Sequence, residues 1–213
     1  MQTKKNIIFD FDGTIADTVP LILTMIQEMA HEAGYEKKIS AEDLEWVRDH
    51  KLKDIPKKFG IPWIKFPYLL MKGRDALNKQ MFSVPPCRGI LEMLRSLKEK
   101  GFTLAVLSSN RRDSIQEFII KYNLESYFDF VHSELNIFGK DKALLSLLKE
   151  HKMGRDETLY VGDEIRDSEA CKKIKLDCIS VAWGFNSATA LTAYGAQWVI
   201  ERPGEILSLL ECS

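Results

Sequence analysis

From residue 89 onward the chain alternates two patterns, and that alternation restricts the fold more than any other feature. Segments 89–100, 113–122, 140–151 and 168–174 carry apolar residues at helical spacing. Between them lie short apolar runs at 102–107, 128–132, 158–161 and 178–182. A helix near 188–194, a strand at 198–200 and a short helix at 204–211 close the series. Strand and helix in strict rotation predict an α/β fold, a Rossmann-like parallel sheet with helices on both faces.

One further apolar run, 5–10, stands apart near the N-terminus. A helix over 17–34 follows, with Leu21, Ile22, Met25, Ile26, Met29 and Ala30 at helical spacing and Gly34 ending the run. Between 40 and 83 no strand pattern is found. Ser40, with Asp43 three residues on, reads as a capping box that opens a helix to about Asp49. Shorter helical patterns follow, broken by Pro56, Pro62 and Pro67, and Val84-Pro85-Pro86 reads as a linker. The expected organisation is a core of residues 1–16 and 84–213, with a small helical cap, 17–83, inserted after the first strand.

A chain of 213 residues with formal net charge -1 has no broad electrostatic pull toward nucleic acid or membrane. No apolar run approaches the ~20 residues of a spanning helix. The start MQTKKNIIFDFDGT does not read as a signal peptide, because its apolar stretch is short and runs straight into Asp10. Cys87, Cys171, Cys178 and Cys212 show neither CxxC nor zinc spacing and read as free thiols in a reducing cytosol. His31, His50, His132 and His151 are scattered and read as surface or packing residues. The expectation is a cytoplasmic monomer or weak homodimer.

The first run ends in Asp10-Phe11-Asp12-Gly13-Thr14. Residues i and i+2 of a strand share a face, so both carboxylates can enter one space. Like charges held close need a cation or a shared proton. Sites in such sheets form beyond the carboxyl ends of the strands. The polar residues expected there are Asp10 and Asp12, then Ser108, Ser109 and Asn110, then Asp163, Glu164 and Asp167, with Lys140 just after a glycine.

This set suits phosphoryl transfer. Asp10 can attack phosphorus and form an aspartyl phosphate, while Asp12 protonates the leaving alcohol and later takes a proton from water. A phosphomonoester carries about two negative charges. At ~4 Å and an effective dielectric of ~20 each unit pair contributes about 4 kcal/mol, so about 8 kcal/mol would cost roughly six orders of magnitude in rate. Hard oxygen ligands favour Mg²⁺, held by Asp10, Asp163 and the Asp12 backbone carbonyl. Lys140 adds positive charge at the transferring group. Ser108 and the backbone N–H groups of Ser109 and Asn110 can hold phosphate oxygens. Glu164 either reaches the metal through water or faces solvent.

Taken together, these residues resemble the haloacid dehalogenase-like hydrolase superfamily. DFDGT at 10–14 resembles its first motif, with Asp10 as nucleophile and Asp12 as acid/base. Ser108 at the end of LAVLSSN matches the second, and Lys140 in IFGKDKAL the third. GDEIRD at 162–167 matches the fourth, with Asp163 as metal ligand and Asp167 supporting the metal or the lysine. The insert position, VRDHKLKDIPKKFGIP at 47–62 and VAWGFNS at 181–187 resemble the phosphoglycolate phosphatase-like branch with its helical cap. The resemblance implies a Mg²⁺-dependent phosphatase of a small phosphorylated metabolite, phosphoglycolate-like or a sugar phosphate. The alternatives are a phosphomutase of the same fold and a non-catalytic regulatory or binding member. In the cap, Arg48, Lys51, Lys53, Lys57, Lys58 and Arg74 are either contacts for an anionic substrate or a solvated face. Trp46, Trp63, Phe66 and Tyr68 read as packing, and Trp183 and Phe185 as rim or core.

Overall fold

The structure is a computed structural model that describes residues 3–134 and 139–211. Six strands form one parallel sheet: β1 (Asn6–Phe9), β2 (Thr103–Ser108), β3 (Phe130–Ser133), β4 (Thr158–Gly162), β5 (Asp177–Val181) and β6 (Trp198–Ile200). Their spatial order is β3-β2-β1-β4-β5-β6, the α/β, Rossmann-like arrangement expected. The chain runs outward from the central β1 in both directions, so the switch of direction falls between β1 and β4. Crevices open there, beyond the carboxyl ends of the strands.

The apolar runs are unbroken because both sheet faces are covered. Ile7 and Phe9 enter one core cluster, and Ile8 enters another. Leu104 and Val106 against Ala105 and Leu107, and Leu159 and Val161 against Tyr160, repeat the alternation. The first face is covered by α5 (Ile90–Glu99), α6 (Arg112–Lys121) and α10 (Glu205–Glu211), and the second by α7 (Lys140–Glu150) and α8 (Ile165–Ile174). A short helix, α9 (Ala188–Ala193), packs on Ile165. Phe11 and Phe118 meet edge to face, ring centroids 5.0 Å apart, and so tie the loop after β1 to α6.

Between β1 and β2 come α1 (Val19–Glu32), α2 (Ala41–Asp49), α3 (Ile55–Lys58) and α4 (Phe66–Gln80). They enclose a hydrophobic cluster of their own, which includes Ile26, Met29, Val47, Phe59, Phe66 and Leu69. The Ser40 box is present: Asp43 N–H donates to Ser40 Oγ (3.2 Å) and Ser40 N–H to Asp43 Oδ2 (3.1 Å). Pro56 and Pro67 do not break helices here. Each sits in the first turn of one, where a missing N–H costs nothing. The short patterns expected after Pro62 are therefore one 15-residue helix, α4.

α8 also begins earlier than 168, at Ile165, because Glu164 N–H is capped by the Asp167 carboxylate (2.9 Å). Phe66 is buried as expected, whereas Trp63 and Tyr68 are 59% and 55% exposed, Trp63 meeting Phe66 edge to face. Cys87, Cys171 and Cys178 are free and buried, and Cys212 lies outside the described residues. Among the described residues no helix is long and apolar enough to cross a membrane.

Candidate active site

Asp10 is the first residue past β1, and its N–H still bonds Val161 O (2.8 Å), which fixes its exit from the sheet. Its Oδ1 accepts from Phe11 N–H (2.8 Å) and its Oδ2 from Lys140 Nζ (2.6 Å). The Lys140 ammonium, on the first residue of α7, also pairs with Asp167 Oδ1 and lies 5.3 Å from the Tyr160 ring centroid. Lys142, two residues on, is exposed. A helical step of two turns a side chain to another face, so only one of these lysines can reach the strand ends.

Asp163 follows β4 and is 1% exposed. Its Oδ2 accepts from Phe185 N–H (2.7 Å) and its Oδ1 from Thr14 Oγ1 (3.1 Å). Gly13 is required beside it. Its φ is +69°, and a Cβ there would stand 2.1 Å from Asp163 Oδ2.

Carboxylate oxygens of Asp10, Asp163 and Asp167 all come within 4.8 Å of one another. Burial pushes Asp10 up to about 7, against the pull of Lys140. Burial, reinforced by Asp10, holds Asp163 well above the usual carboxylate range. Burial opposes the charge on Lys140, but Asp10 and Asp167 outweigh it and raise that lysine above its ordinary value. Three buried acids meet the Lys140 ammonium, with the Arg166 guanidinium close enough to act on Asp10. The donor set is all hard oxygen, so the cluster fits a metal ion of the Mg²⁺ type.

Asp12 faces the same crevice. Both its oxygens accept from Asn110 Nδ2, at 2.9 and 2.8 Å. Burial raises its carboxyl to about 6, with the Asn110 hydrogen bond working against the rise. A carboxyl in that range holds a proton for part of the time near neutrality and can give it up, as an acid/base requires.

The backbone N–H of Asn110, expected to hold a phosphate oxygen, donates to Ser108 Oγ (3.0 Å) in this structure. Its side chain serves Asp12 because that buried acid is the stronger acceptor. Ser108 and Ser109 line a small cavity with Asp10 and Lys140. Glu164, largely shielded from solvent, is paired with Arg166.

Arg166 was not singled out in the sequence, although a cation inside GDEIRD is out of keeping with its acidic neighbours. Its side chain lines both the Asp10 cavity and a second, adjoining one. The second cavity is walled by Asp12, Met25, Leu70, Arg74, Leu77 and Arg166, among others. Of the lysines and arginines expected on the insert, only Arg74 lines it. Arg48 instead donates to the carbonyls of Gly184 and Phe185, and Lys51 pairs with Glu169 of α8. Lys58 pairs with Asp43, and Lys53 and Lys57 are exposed. Trp183 Nε1 bonds Thr14 O (3.1 Å), and Phe185 is buried in the cluster of α1–α4.

Residues 7–181 match the family model for haloacid dehalogenase-like hydrolases. A phosphoglycolate phosphatase from Synechococcus elongatus is 32% identical over 202 residues, covering 94% of each chain. A pyrophosphatase from Anoxybacillus flavithermus is 25% identical over 217 residues, 96% of this chain and 95% of that one. A haloacid dehalogenase-like family hydrolase from Streptococcus pneumoniae superposes with a TM-score of 0.80 at 16% identity, over 99% of this chain and all of that one (100%). The chain belongs to the haloacid dehalogenase-like hydrolase family, in its phosphoglycolate phosphatase-like branch, and is a phosphatase.

Proposed function

We propose that the protein is a Mg²⁺-dependent phosphatase that cleaves a small phosphomonoester through an aspartyl phosphate on Asp10, under a cap formed by residues 17–83. The observation that carries this reading is Asp10 itself. It is a buried carboxylate 2.6 Å from an ammonium, beside two further acids, and two residues before a fourth, Asp12, held by Asn110. Asp10 Oδ1 is steadied by Phe11 N–H, so one oxygen is oriented for attack while Lys140 stands ready to bond the phosphoryl oxygens. Asp10, Asp163 and the Asp12 carbonyl hold the metal, with Asp167 orienting Lys140. When bound, Mg²⁺ supplies the positive charge that offsets phosphate–carboxylate repulsion. Asp12 protonates the departing alcohol and then takes a proton from the water that hydrolyses the acyl phosphate. Ser108 and the N–H of Ser109 hold phosphate oxygens.

The leaving group occupies the cavity toward α1 and α4, whose wall is mostly apolar and carries Arg74 and Arg166 together with Asp12 and Glu164. That lining admits a short polar alcohol. Phosphoglycolate, the substrate in the name of the Synechococcus relative, is an ester of such an alcohol.

The test is kcat/KM for phosphoglycolate, sugar phosphates, inorganic pyrophosphate and an aryl phosphate, with Mg²⁺ and with EDTA. Hydrolysis should stop in EDTA and return with Mg²⁺. It should be abolished in Asp10→Asn, whose circular dichroism stays that of the unmodified chain. Full turnover in EDTA, or more than a few percent retained in folded Asp10→Asn, would refute the reading.

A further inference from the structure

We propose that Arg48, on α2 of the helical insert, is a positioning residue that sets Asp163, its carboxylate and its backbone carbonyl, through two consecutive peptide planes of the loop after β5. The inference rests on the reading of Asp163 as a metal ligand and of 17–83 as a cap. Arg48 Nη2 donates to Gly184 O and Nε to Phe185 O, both at 3.1 Å. The Gly184 carbonyl shares its peptide unit with the Phe185 N–H, which donates to Asp163 Oδ2 (2.7 Å). The Phe185 carbonyl shares its unit with the Asn186 N–H, which donates to Asp163 O (3.2 Å). Each unit is planar and trans, so tilting its carbonyl tilts its N–H. One guanidinium on the insert thus grips the far edge of both planes whose near edges hold Asp163.

The surrounding contacts remove the loop's remaining freedom. Asn186, 2% exposed, accepts from Ile165 N–H (2.9 Å) and donates to the carbonyls of Arg48 (2.8 Å) and His50 (3.2 Å). Ser187 N–H also donates to Arg48 O (3.1 Å). The Phe185 ring is held in the cluster of α1–α4. Gly184 lies so close to Asp163 that a Cβ there would be 2.3 Å from the aspartate Cβ, so only a glycine lets the loop seat against the acid. The insert end of α2 and the metal-binding acid are therefore parts of one rigid assembly. Undocking α2 would release the N–H that orients Asp163, which couples cap position to metal affinity.

The experiment is calorimetric titration of the full chain with Mg²⁺ and with Mn²⁺, with no substrate present. Arg48→Ala and Asn186→Ala should weaken metal binding about tenfold, the usual effect of removing a residue that orients a ligand. Arg48→Lys, whose single ammonium replaces two separate guanidinium donors in a fixed fork, should fall between, and it decides the matter should Arg48→Ala fail to fold. Lys58→Ala, which removes an ion pair on the same insert away from the loop, should titrate like the unmodified chain. Folded Arg48→Ala or Arg48→Lys with unchanged metal affinity overturns the inference. Undiminished binding in Asp163→Asn would instead overturn the ligand reading beneath it.

Discussion

Replacing Asn110 with alanine isolates what tunes Asp12. One amide nitrogen reaches both Asp12 oxygens, at 2.9 and 2.8 Å, and it is the largest influence holding that carboxyl down against burial. A hydrogen bond to a charged group contributes about 1.5–3 kcal/mol, and 1.36 kcal/mol corresponds to one pH unit, so its loss raises the carboxyl by about one to two pH units. Asp12 in Asn110→Ala should therefore titrate about one to two pH units above its value in the unmodified chain under the same conditions. The sign follows from its role. Asp12 gives a proton to the leaving alcohol, so kcat/KM for a metabolite falls as pH rises through the Asp12 value of the free enzyme. In the variant that falling limb moves toward alkaline pH, and the variant keeps a larger share of its own plateau at pH 7.5. The assay is a full pH profile of kcat/KM for both proteins, with an aryl phosphate alongside. The aryl phosphate leaves without help from a proton and should show a weaker limb in both. A limb that stays in place, or moves toward acid, would refute the assignment of Asn110 as the group that tunes Asp12.

Lys140→Ala leaves Asp10 and Asp167 buried without their ammonium and should destabilise the metal-free protein by about 3–5 kcal/mol, whereas exposed Lys142→Ala should stay within about 0.5 kcal/mol. Denaturant titrations and kcat measured on both variants check this, and equal losses would mean that the wrong lysine carries the role. Metal-free protein should gain stability as pH falls from about 7 toward 4. Asp10, raised to about 7, and Asp163, also raised, bind protons more tightly folded than unfolded, so their unfavourable contribution is fully present above the folded values and is relieved below them. Saturating Mg²⁺ should stabilise the protein most at neutral pH, and thermal melts across pH in EDTA and in Mg²⁺ would expose the opposite trend.

The sheet was legible in the sequence because two-sided burial writes each strand as an unbroken apolar run, from Ile7-Ile8-Phe9 to the run at Leu159-Tyr160-Val161. The acids at the strand ends were legible for a related reason: a charge at the edge of such a run is costly unless the site uses it. Lys140 could be told from Lys142 by its place beside the glycine, and the structure supplies the physical ground in the face of α7 each occupies. The proline-rich insert was read less well. Proline marks a helix start as readily as a break, and only the packing of Leu69, Leu70 and Leu77 shows that α4 is continuous.

What the sequence by itself determined was the local chemistry: which residue types stand at which strand ends, and hence a phosphoryl-transfer site in an α/β sheet. Partner choice was decided only by the tertiary structure. Asn110 turns to Asp12 across 98 positions, Arg166 lines the cavity beside Asp12, and Arg48 grips a loop 136 residues away. A long polar side chain has many rotamers of similar energy, and nothing in its own neighbourhood of the chain selects among them. The choice is made by whichever buried carboxylate or carbonyl the fold brings within reach, because leaving such a group unpaired costs more than ordering the side chain.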